Sequence, residues 1–520
     1  MTSTNWDVIV VGAGSAGAAF AVRSAEKGRS VLLVEAGPDY RSAQMHEAWR
    51  SPNPAVALMD PTAAEGMLWT GLNSSRTDAQ APSPYWRGRG VGGSSSVNGQ
   101  IAIRPPMTDF EDWSGAGCTG WSPADVLPYF AKLEDDEQFG DEPYHGRGGP
   151  TPIHRTARDE WGGVDTALSG SALAAGYGWA EDVNAPSAHG VSPYPINSRG
   201  GRRVSVNDAY LERARESSTL TVRGDALVES VVFAGNRAVG VRLLVGGQVR
   251  TEHAGTVVLS AGVIHSPAIL MRSGIGPAAQ LRALGIGVRH VLPVGQGMQD
   301  HPMALVSIPL RESAAVRTPH DRHTNVCVRW TSGDGAPDND LMFVSLNQNV
   351  LAMATAATTT ASGAFGVWLN QNHSRGVLTL ASADPRDQPL VRQRMLADER
   401  DLSRMRHGVR ALVDLVRRPE TAAITEGSPA EENAALFSVL DSDRGLDDHL
   451  LRTVVDAQHG TSTCRMGPAD DPGTVVDSGC RVLGVEGLYV VDASVFPSVP
   501  RANTNLVTIM AGELMADRIA

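Results

Sequence analysis

Three glycines and one acid near the start of the chain have types and spacing that suit binding chemistry. Gly12, Gly14 and Gly17 lie between two apolar tetrapeptides, and Glu35 follows the second of these, 18 residues after Gly17. In this pattern the first glycine permits a tight turn, the second leaves room for a pyrophosphate, and the third lets a helix lie close to a strand. The helix amino terminus offers N–H groups to phosphates, and the acid accepts hydrogen bonds from ribose hydroxyls. The spacing predicts a dinucleotide site rather than a glycine-rich surface turn.

A second passage rich in glycine and serine occupies residues 85–99. It reads Tyr-Trp-Arg-Gly-Arg-Gly-Val-Gly-Gly-Ser-Ser-Ser-Val-Asn-Gly. Consecutive glycines and hydroxyl groups beside basic residues allow a backbone to approach a phosphate or a flat ring closely. Taken alone, the passage fits such a contact and a loop without a ligand equally well.

His459 and Asn503 are residues in the last part of the chain whose types suit proton handling. An imidazole with an unperturbed pKa of about 6.5 is largely neutral near pH 7 and is a natural base. A carboxamide both donates and accepts hydrogen bonds, so it is able to hold a hydroxyl group while a base acts on it. The alternative for Asn503 is that it caps a helix beginning at this point. His301, in an Asp-His-Pro turn, is interpreted as structural rather than catalytic.

The elements that position these residues are predicted from the apolar pattern. Residues 8–11 and 31–34 predict two strands on either side of a helix. Residues 219–260 predict several strands separated by turns, and 256–262 has the composition of a buried parallel strand that enters a glycine turn. A helix is predicted over 266–276, with a proline near its start and a glycine at its end.

The rest of the chain predicts a separate layer and a return to the first domain. Strand-like pieces over 305–370, with an alanine- and threonine-rich tract near 354–361, predict a layer that shapes a substrate pocket. An amphipathic helix is predicted over 400–417. A strand beginning at Gly487 ends in an acid, and a final helix is predicted over 506–516.

Composition and charge exclude several classes of protein. The 520 residues predict two or more cooperating domains, and the net charge of −12, with no block rich in Lys and Arg, argues against nucleic-acid binding. The four cysteines form no Cys-x-x-Cys pair and are expected to be reduced thiols. No secretory leader and no membrane span are recognised, so a cytoplasmic protein without a membrane partner or a metal site is expected.

Five blocks of sequence, in a characteristic order, resemble the GMC (glucose–methanol–choline) flavoprotein oxidoreductases. Together they extend over nearly the whole chain. The blocks are the glycine fingerprint with Glu35, Arg87 to Asn98, Ser266 to Gly276, Gly295 to Pro302, and the closing segments 459–467 and 492–517. Within the family, the ending Val-Pro-Arg-Ala-Asn-Thr-Asn at 499–505 is most similar to bacterial aryl-alcohol and 5-hydroxymethylfurfural oxidases.

The resemblance implies an α/β fold with a Rossmann-like FAD-binding domain and an interleaved substrate-binding domain built on a β-sheet. The implied FAD-binding domain covers 1–305, with part of the substrate domain interleaved near 150–205. The implied substrate-binding domain covers 306–450, and 451–520 returns to the FAD domain with the catalytic pair.

FAD is the cofactor that the resemblance implies. Val97 stands where some family members carry a histidine that bonds covalently to the flavin, so non-covalent FAD is expected. The residues expected to hold it are Gly12, Gly14, Ser15, Ala16, Gly17, Glu35, Ala36, Arg89, Val91, Gly93, Ser94, Asn98, Gly99, Val228, Asp492, Ala493, Asn503 and Thr504.

The resemblance further implies oxidation of a CH–OH group. This chemistry needs a base for the hydroxyl proton, a carbinol C–H directed at flavin N5, and stabilisation of the negative charge on the reduced ring. His459 matches the family's base and Asn503 its partner, and the implied reaction converts a primary alcohol to an aldehyde. The electrons pass to O₂, which gives H₂O₂, or to another acceptor. Gln458 and Gly460 replace the aromatic residue and the proline usual in the family, which places an amide beside the reacting centre.

Three other functions remain open. An FAD-containing hydroxynitrile lyase shares the fold and has no redox turnover. A nicotinamide enzyme would use the glycine fingerprint but not the later blocks, and a binding protein without catalysis would have little use for a His/Asn pair. The alcohol, the acceptor and the oligomeric state are not determined by the sequence.

Overall fold

The computed structural model describes residues 5–58, 60–333, 335–349 and 361–519. Within these residues the strands form two large sheets of seven and six strands and three smaller sheets. The alanine- and threonine-rich tract near 354–361 lies outside the described residues apart from Ala361.

The bounds of the elements in the described residues are as follows. The strands are β1 (Asn5–Val11), β2 (Val31–Val34), β3 (Asn73–Ser75), β4 (Ser83–Pro84), β5 (Glu134–Asp136), β6 (Thr151–Arg155), β7 (Gly190–Pro193), β8 (Pro195–Ile196), β9 (Ser198–Arg199), β10 (Arg202–Arg203), β11 (Leu220–Arg223), β12 (Ala226–Ala234), β13 (Arg237–Val245), β14 (Gln248–Leu259), β15 (Gln296–Met298), β16 (Pro302–Pro309), β17 (Val326–Trp330), β18 (Leu341–Leu346), β19 (Ser362–Leu369), β20 (Gly376–Thr379), β21 (Leu390–Arg392), β22 (Val455–Asp456) and β23 (Leu488–Val490). The α-helices are α1 (Ser15–Glu26), α2 (Glu47–Arg50), α3 (Ala55–Leu58), α4 (Pro61–Ala64), α5 (Met107–Gly115), α6 (Pro123–Leu133), α7 (Gly163–Ala174), α8 (Glu212–Ala214), α9 (Gly262–Arg272), α10 (Ala278–Ala283), α11 (Glu399–Val416), α12 (Pro419–Ala422), α13 (Pro429–Glu432), α14 (Ala434–Phe437), α15 (Asp443–Thr453) and α16 (Thr504–Arg518). Short 3₁₀ turns cover Ser42–Gln44, Gly93–Ser96, Arg158–Glu160, Glu312–Ala314 and Ala493–Val495, and a π-helical turn covers Asn207–Leu211.

The first large sheet has a parallel core. Strands β11, β2, β1, β14 and β23 run parallel, and β13 and β12 add an antiparallel ribbon along β14. The valines of β1 and β2 are at most 4% exposed, as expected for a parallel sheet covered on both faces. The first and last helices pack together, because Gly512 of α16 lies so close to α1 that a Cβ there would be 2.5 Å from the carbonyl oxygen of Ala16. The two ends of the chain therefore meet on this sheet.

One predicted helix boundary was wrong. The helix predicted to begin at Ser266 begins at Gly262, so Pro267 lies inside α9 rather than near its start. Proline has no N–H, so the carbonyl group of Val263 loses its usual partner one turn later. The hydroxyl of Thr463 donates to that carbonyl oxygen at 2.6 Å. A distant hydroxyl group thus satisfies the carbonyl that the proline leaves free, and the helix continues through Pro267.

The second large sheet is antiparallel, in the order β22-β16-β19-β18-β17-β7. Its two faces bury different clusters, because side chains alternate along a strand. Leu341 and Phe343 of β18 pack with the amphipathic helix α11, whereas Met342 and Val344 belong to the cluster on the opposite face. Segments from separate parts of the chain build this sheet, and the boundary predicted after residue 305 lies within β16. Together the two sheets confirm the predicted mixed α/β fold class.

A buried ionic cluster lies at one side of the smaller sheet that contains β5 and β6. It consists of three carboxylates, two guanidinium groups and one imidazole, from Glu134, Asp136, Asp182, Arg104, Arg155 and His145. The two ring nitrogens of His145 lie 2.8 Å from carboxylate oxygens of Glu134 and Asp182. Burial lowers the pKa of His145, but these hydrogen bonds raise it more, so the net shift is upward. The imidazolium form balances the three carboxylates together with the two guanidinium groups.

Two further expectations concern membrane-spanning helices and the cysteines. Among the described residues, no helix combines the length and the apolar character needed to cross a bilayer. The four cysteines are buried and unpaired, in agreement with reduced thiols.

Candidate active site

A cavity of about 430 Å³ opens between the turns of the first large sheet and one face of the second. Most of the predicted site residues line it, namely Gly12, Gly14, Ser15, Ala16, Glu35, Ala36, Gly93, Ser94, Asn98, Gly99, Val228, His459, Asp492, Ala493, Asn503 and Thr504. Gly17, Arg89 and Val91 lie outside its lining. Gly17 has the packing task predicted for it, because a Cβ there would be 2.0 Å from the carbonyl oxygen of Gly12. The Arg89 guanidinium donates to the carbonyl oxygen of Ala36 at 2.9 Å.

Two helix amino termini and two glycine turns meet in this cavity. Helix α1 begins after Gly14 and α16 after Asn503, and neither has a side-chain cap or an acid in its first turn. Their terminal N–H groups therefore stay available to an anion. Gly14 lies against Gly93, where a Cβ would be 2.8 Å from the Gly14 Cα. A cradle of this kind, without side chains between its turns, fits the pyrophosphate of FAD.

The Glu35 carboxylate is buried at the end of β2 and holds three backbone segments together. One oxygen accepts from the N–H groups of Gly37 and Gly90 at 2.9 and 3.0 Å, and the other accepts from the N–H of Ala13 at 3.0 Å. Burial raises the pKa of Glu35, and these hydrogen bonds oppose that rise. The oxygen with a single N–H partner retains a lone pair for a ribose hydroxyl.

The second glycine-rich passage is held by two buried arginines. Arg203 donates to the carbonyl oxygen of Ser95 at 3.2 Å and to Oδ1 of Asn98 at 2.9 Å, and Arg322 donates to the carbonyl oxygen of Gly99 at 2.7 Å. Among the described residues neither guanidinium has a carboxylate within ion-pair distance. Burial lowers the pKa of Arg203 to about 10 and that of Arg322 to about 9. Both groups add positive potential beside a loop that is expected to contact the flavin.

Asp492 joins the end of β23 to the start of α9. One carboxylate oxygen accepts from the N–H of Gly262 at 2.9 Å and from the Ser266 hydroxyl at 2.6 Å. The other oxygen accepts from the N–H of Ser494 at 2.8 Å. This carboxylate explains why α9 begins at Gly262, and it orders the turn that brings Ala493 to the cavity wall.

His459 and Asn503 are in direct contact on the cavity wall. The Asn503 carboxamide nitrogen lies 3.1 Å from Nε2 of His459. Asn503 occupies the cap position of α16, but its side chain makes no capping hydrogen bond. Its Oδ1 is buried and has no partner in the described part of the chain. The side chain is therefore directed at the imidazole rather than at the helix backbone.

His301, interpreted from the sequence as structural, contacts His459. The two Nδ1 atoms lie 3.0 Å apart, and the other ring nitrogen of His301 lies 3.0 Å from the carbonyl oxygen of Pro500. Oδ1 of Asp300 accepts from the backbone N–H groups of both histidines at 2.8 and 2.7 Å, and the Tyr85 hydroxyl donates to Oδ2 at 2.7 Å. The Asp-His-Pro turn thus holds both the backbone and the ring of His459. The sequence signal for this role was that the Asp-His-Pro turn lies within one of the blocks that resemble the family.

Burial dominates the electrostatics around this pair. It lowers the pKa of His459 well below its usual value, and the positive charges of a protonated His301 and of Arg87 would lower it further. Burial also lowers the pKa of His301 to about 4. The pKa of Asp300 is raised, first by burial and then by the nearby carboxylate of Asp456. Both imidazoles are therefore neutral near pH 7, the state in which a histidine accepts a proton.

Gln458 precedes His459 with a left-handed backbone, φ +64°. Its side-chain oxygen accepts from the Arg87 guanidinium at 3.2 Å, and its side-chain nitrogen donates to Asp456 at 2.5 Å. The same guanidinium lies over the Tyr85 ring, 4.0 Å from the ring centroid. The amide expected beside the reacting centre is therefore tied to these neighbours, and it lines the cavity.

The second sheet contributes an apolar wall beside His459. Met303 of β16, Val344 of β18 and Trp368 of β19 line the cavity. The Trp368 ring meets the His459 ring edge to face, with centroids 5.3 Å apart. His323, just before β17, adds one polar group to this lining, and burial lowers its pKa well below the usual value. The wall suits a planar, largely apolar molecule with few polar groups.

Comparisons with known proteins match most of the chain to one family. Residues 6–303 match the amino-terminal family model of GMC oxidoreductase, and residues 372–512 match the carboxyl-terminal one. A 5-(hydroxymethyl)furfural oxidase of a Methylovorus species is 35% identical over 100% of this chain and 99% of its own length. An oxygen-dependent choline dehydrogenase of Photobacterium profundum is 32% identical over 99% of this chain and 93% of its own.

A solved structure supports the same fold. Pyridoxine 4-oxidase from Mesorbium loti superposes with a TM-score of 0.88 at 28% identity, over 99% of each chain.

Proposed function

The chain belongs to the GMC oxidoreductase family and is an FAD-dependent alcohol oxidoreductase, and within that activity we propose that it oxidises a primary alcohol to an aldehyde with His459 as the base. We further propose that O₂ takes the electrons and leaves as H₂O₂. One observation carries the proposal. The His459 imidazole and the Asn503 carboxamide are in contact at 3.1 Å on the wall of the cavity that also contains the glycine cradle.

The roles of the two side chains follow from their chemistry. His459 accepts the hydroxyl proton, which raises the electron density on the carbinol carbon and prepares it to lose a hydride. The Asn503 N–H now directed at His459 turns to the alcohol oxygen and stabilises the negative charge that develops there. The alcohol thus loses one proton and one hydride and becomes the aldehyde.

FAD supplies the hydride acceptor, flavin N5, when it is bound. The uncapped amino terminus of α1 would hold its phosphates, and that of α16 would favour an anionic reduced ring. Val97 has no nucleophilic atom, which supports non-covalent binding. Removal of FAD by dialysis against chaotrope, without proteolysis, is the expected behaviour.

We propose that the substrate carries its primary alcohol on a planar aromatic or furan ring. The wall of Met303, Val344 and Trp368 beside His459 supports this class. The names of two similar proteins, a 5-(hydroxymethyl)furfural oxidase and a pyridoxine 4-oxidase, support it as well. The Trp368 indole offers such a ring a packing surface next to the base.

An anaerobic alcohol screen tests the proposal. The FAD-loaded protein is mixed without oxygen with furan, benzyl and aliphatic primary alcohols, and bleaching of the flavin absorbance is followed. The same mixtures in air are assayed for peroxide. We expect bleaching by ring-bearing alcohols and about one peroxide per aldehyde, because the two electrons and two protons released match those in H₂O₂. Bleaching without peroxide in air would assign another acceptor, and no bleaching by any alcohol would favour the lyase.

His459→Ala tests the assignment of the base. We expect FAD to stay bound and the rate constant of flavin reduction to fall by roughly 10²–10⁴-fold, the usual contribution of a general base. His449→Ala is the matched control, because His449 of α15 is half-buried and does not line this cavity. If the His459 variant reduced its flavin at the rate of the control, the base would have to be another residue.

A further inference from the structure

We propose that His301 is a positioning residue that fixes the tautomer of His459, so that the nitrogen facing the reaction site is the unprotonated one. The inference rests on the proposed function only through the role of His459 as base. It is carried by a chain of four groups in hydrogen-bond contact, which runs from a backbone carbonyl to the Asn503 side chain.

The first link defines the protonation of His301. One ring nitrogen, Nε2, lies 3.0 Å from the carbonyl oxygen of Pro500. A carbonyl oxygen only accepts hydrogen bonds, so Nε2 carries the hydrogen. His301 is fully buried and neutral, and a neutral imidazole has one N–H and one lone pair. Nδ1 of His301 is consequently an acceptor.

The second link transfers this constraint to His459. Its Nδ1 lies 3.0 Å from the Nδ1 of His301, which has only a lone pair to offer. His459 must therefore donate from Nδ1, and as a neutral ring it keeps its lone pair on Nε2. The opposite tautomer would bring two lone pairs face to face at 3.0 Å, a separation that leaves no room for a water between the two atoms.

The third link agrees with the first two. Asn503 lies 3.1 Å from Nε2 of His459 through its amide nitrogen, which is a donor. An Nε2 lone pair accepts from that N–H, so every contact in the chain joins one donor to one acceptor. Pro500 and Asn503 belong to the same loop before α16. That loop therefore sets the tautomer of the base at one end and positions its amide partner at the other.

The arrangement has a consequence for the proton transfer. When His459 takes a proton on Nε2, its Nδ1–H becomes the donor of an imidazolium and its hydrogen bond to His301 strengthens. Asp300 contacts the backbone N–H groups of the pair from its own turn, Asp456 of β22 lies near Asp300, and Arg87 of the second glycine-rich passage lies near His459. His301 has no free N–H to pass on, because Nε2–H is held by Pro500. It stabilises the charged base without carrying the proton away.

Two substitutions separate this role from a structural one. His301→Gln retains an acceptor for His459 and a donor for Pro500, whereas His301→Leu has a similar size and neither. Asp300 holds the backbone N–H groups of both histidines in either variant, so the turn is expected to persist. The rate constant of flavin reduction is measured anaerobically as a function of pH, together with the FAD content and the melting temperature.

For His301→Leu we expect a plateau rate lower by on the order of 10²-fold, with the acidic limb of the profile moved to lower pH because the imidazolium has lost its acceptor. We expect His301→Gln to regain most of the plateau and the position of the limb. A leucine variant with the parent's rate and pH profile would overturn the proposal, and so would a glutamine variant as slow as the leucine variant.

A measurement without turnover tests the tautomer directly. NMR spectra of protein labelled with ¹⁵N-histidine distinguish protonated from unprotonated ring nitrogens. The His459 resonances are assigned by the loss of signals in His459→Gln. We expect a protonated Nδ1 and an unprotonated Nε2 in the FAD-bound parent. A protonated Nε2 would overturn the inference even if His459 is the base. Conversely, if His459→Ala reduced its flavin at the parent's rate, His459 would not be the base and the proposed function would be wrong, but the tautomer result would still hold.

Discussion

Asn503→Ala separates the two tasks that the sequence allows for this side chain. In the structure the carboxamide nitrogen lies 3.1 Å from Nε2 of His459, and no capping hydrogen bond joins the side chain to α16. We therefore expect the variant to fold, to bind FAD and to retain its melting temperature, while its flavin is reduced more slowly by the alcohol. A capping role would give the opposite pattern, with stability lost and chemistry kept.

The expected fall in the rate of flavin reduction follows from the single N–H that the variant loses. In the transition state this N–H faces an oxygen that is becoming an alkoxide, and a hydrogen bond to a charged group contributes about 1.5–3 kcal/mol. At about 1.4 kcal/mol for each tenfold change in rate, the rate constant of flavin reduction is expected to fall roughly 10- to 150-fold. The loss of a helix cap would instead cost about 1 kcal/mol of unfolding free energy.

Anaerobic stopped-flow reduction by a ring-bearing alcohol, with a thermal melt of the same preparation, measures both quantities. Asn433→Ala is the control, because Asn433 exchanges hydrogen bonds with the backbone of Ser307 at 2.8 and 3.0 Å and does not line the cofactor cavity. We expect the control to lose stability and keep its rate. A rate constant for Asn503→Ala within about threefold of the parent's, which is less than about 0.7 kcal/mol, would refute the reasoning.

Three further predictions concern other parts of the structure. Thr463→Val is expected to cost about 1–3 kcal/mol of unfolding free energy in urea, because the carbonyl of Val263 is left buried without a donor, whereas Thr463→Ser should cost much less. Gly93→Ala is expected to purify without flavin absorbance and to gain none on addition of FAD, because its Cβ would lie 2.8 Å from the Gly14 Cα; bound FAD at the parent's level would contradict the cradle. His145→Gln is expected to lose the stability that a protonated His145 adds to the folded state. This difference between the parent and the variant should be full below about pH 6.5, the pKa of histidine in the unfolded chain, and should be lost as the pH rises through the raised pKa of the folded state. Melting temperatures of the two proteins that stay equally far apart at high pH would contradict this.

Local patterns were sufficient for much of the fold. The strand at 31–34 and the amphipathic helix near 400–417 were predicted to within a residue or two, because a short wholly apolar run and a helical periodicity are both visible in neighbouring residues. The start of α9 was predicted wrongly because its determinants are not local. The carboxylate of Asp492 and the hydroxyl of Thr463 arrive from 230 and 200 residues away in the chain, and they outweigh the usual position of a proline in a helix.

In the candidate site, too, local patterns were recognisable from the sequence and contacts between distant residues were not. Gly12, Gly14 and Glu35 were recognisable because the first glycine turn and the acid after the second strand have a characteristic spacing within one short segment of the chain. The contact of His301 with His459 was not recognisable, because 158 residues separate them. The two turns meet through the antiparallel pairing of β22 with β16 and the bridge between Gln299 and Thr461. Arg203 and Arg322 were also missed, since nothing in their neighbours marks a guanidinium that will be buried against the glycine-rich passage.

The sequence by itself determined the residue types available to this protein: a backbone turn open to phosphates, a valine where a covalent link to flavin would need a histidine, and one imidazole and one carboxamide near the end of the chain. Only the tertiary structure decided which nitrogen of that imidazole is free. The tautomer depends on a hydrogen bond between two rings and on the carbonyl oxygen behind them, and the direction of a hydrogen bond is a property of groups in contact, which the order of residues along a chain does not record.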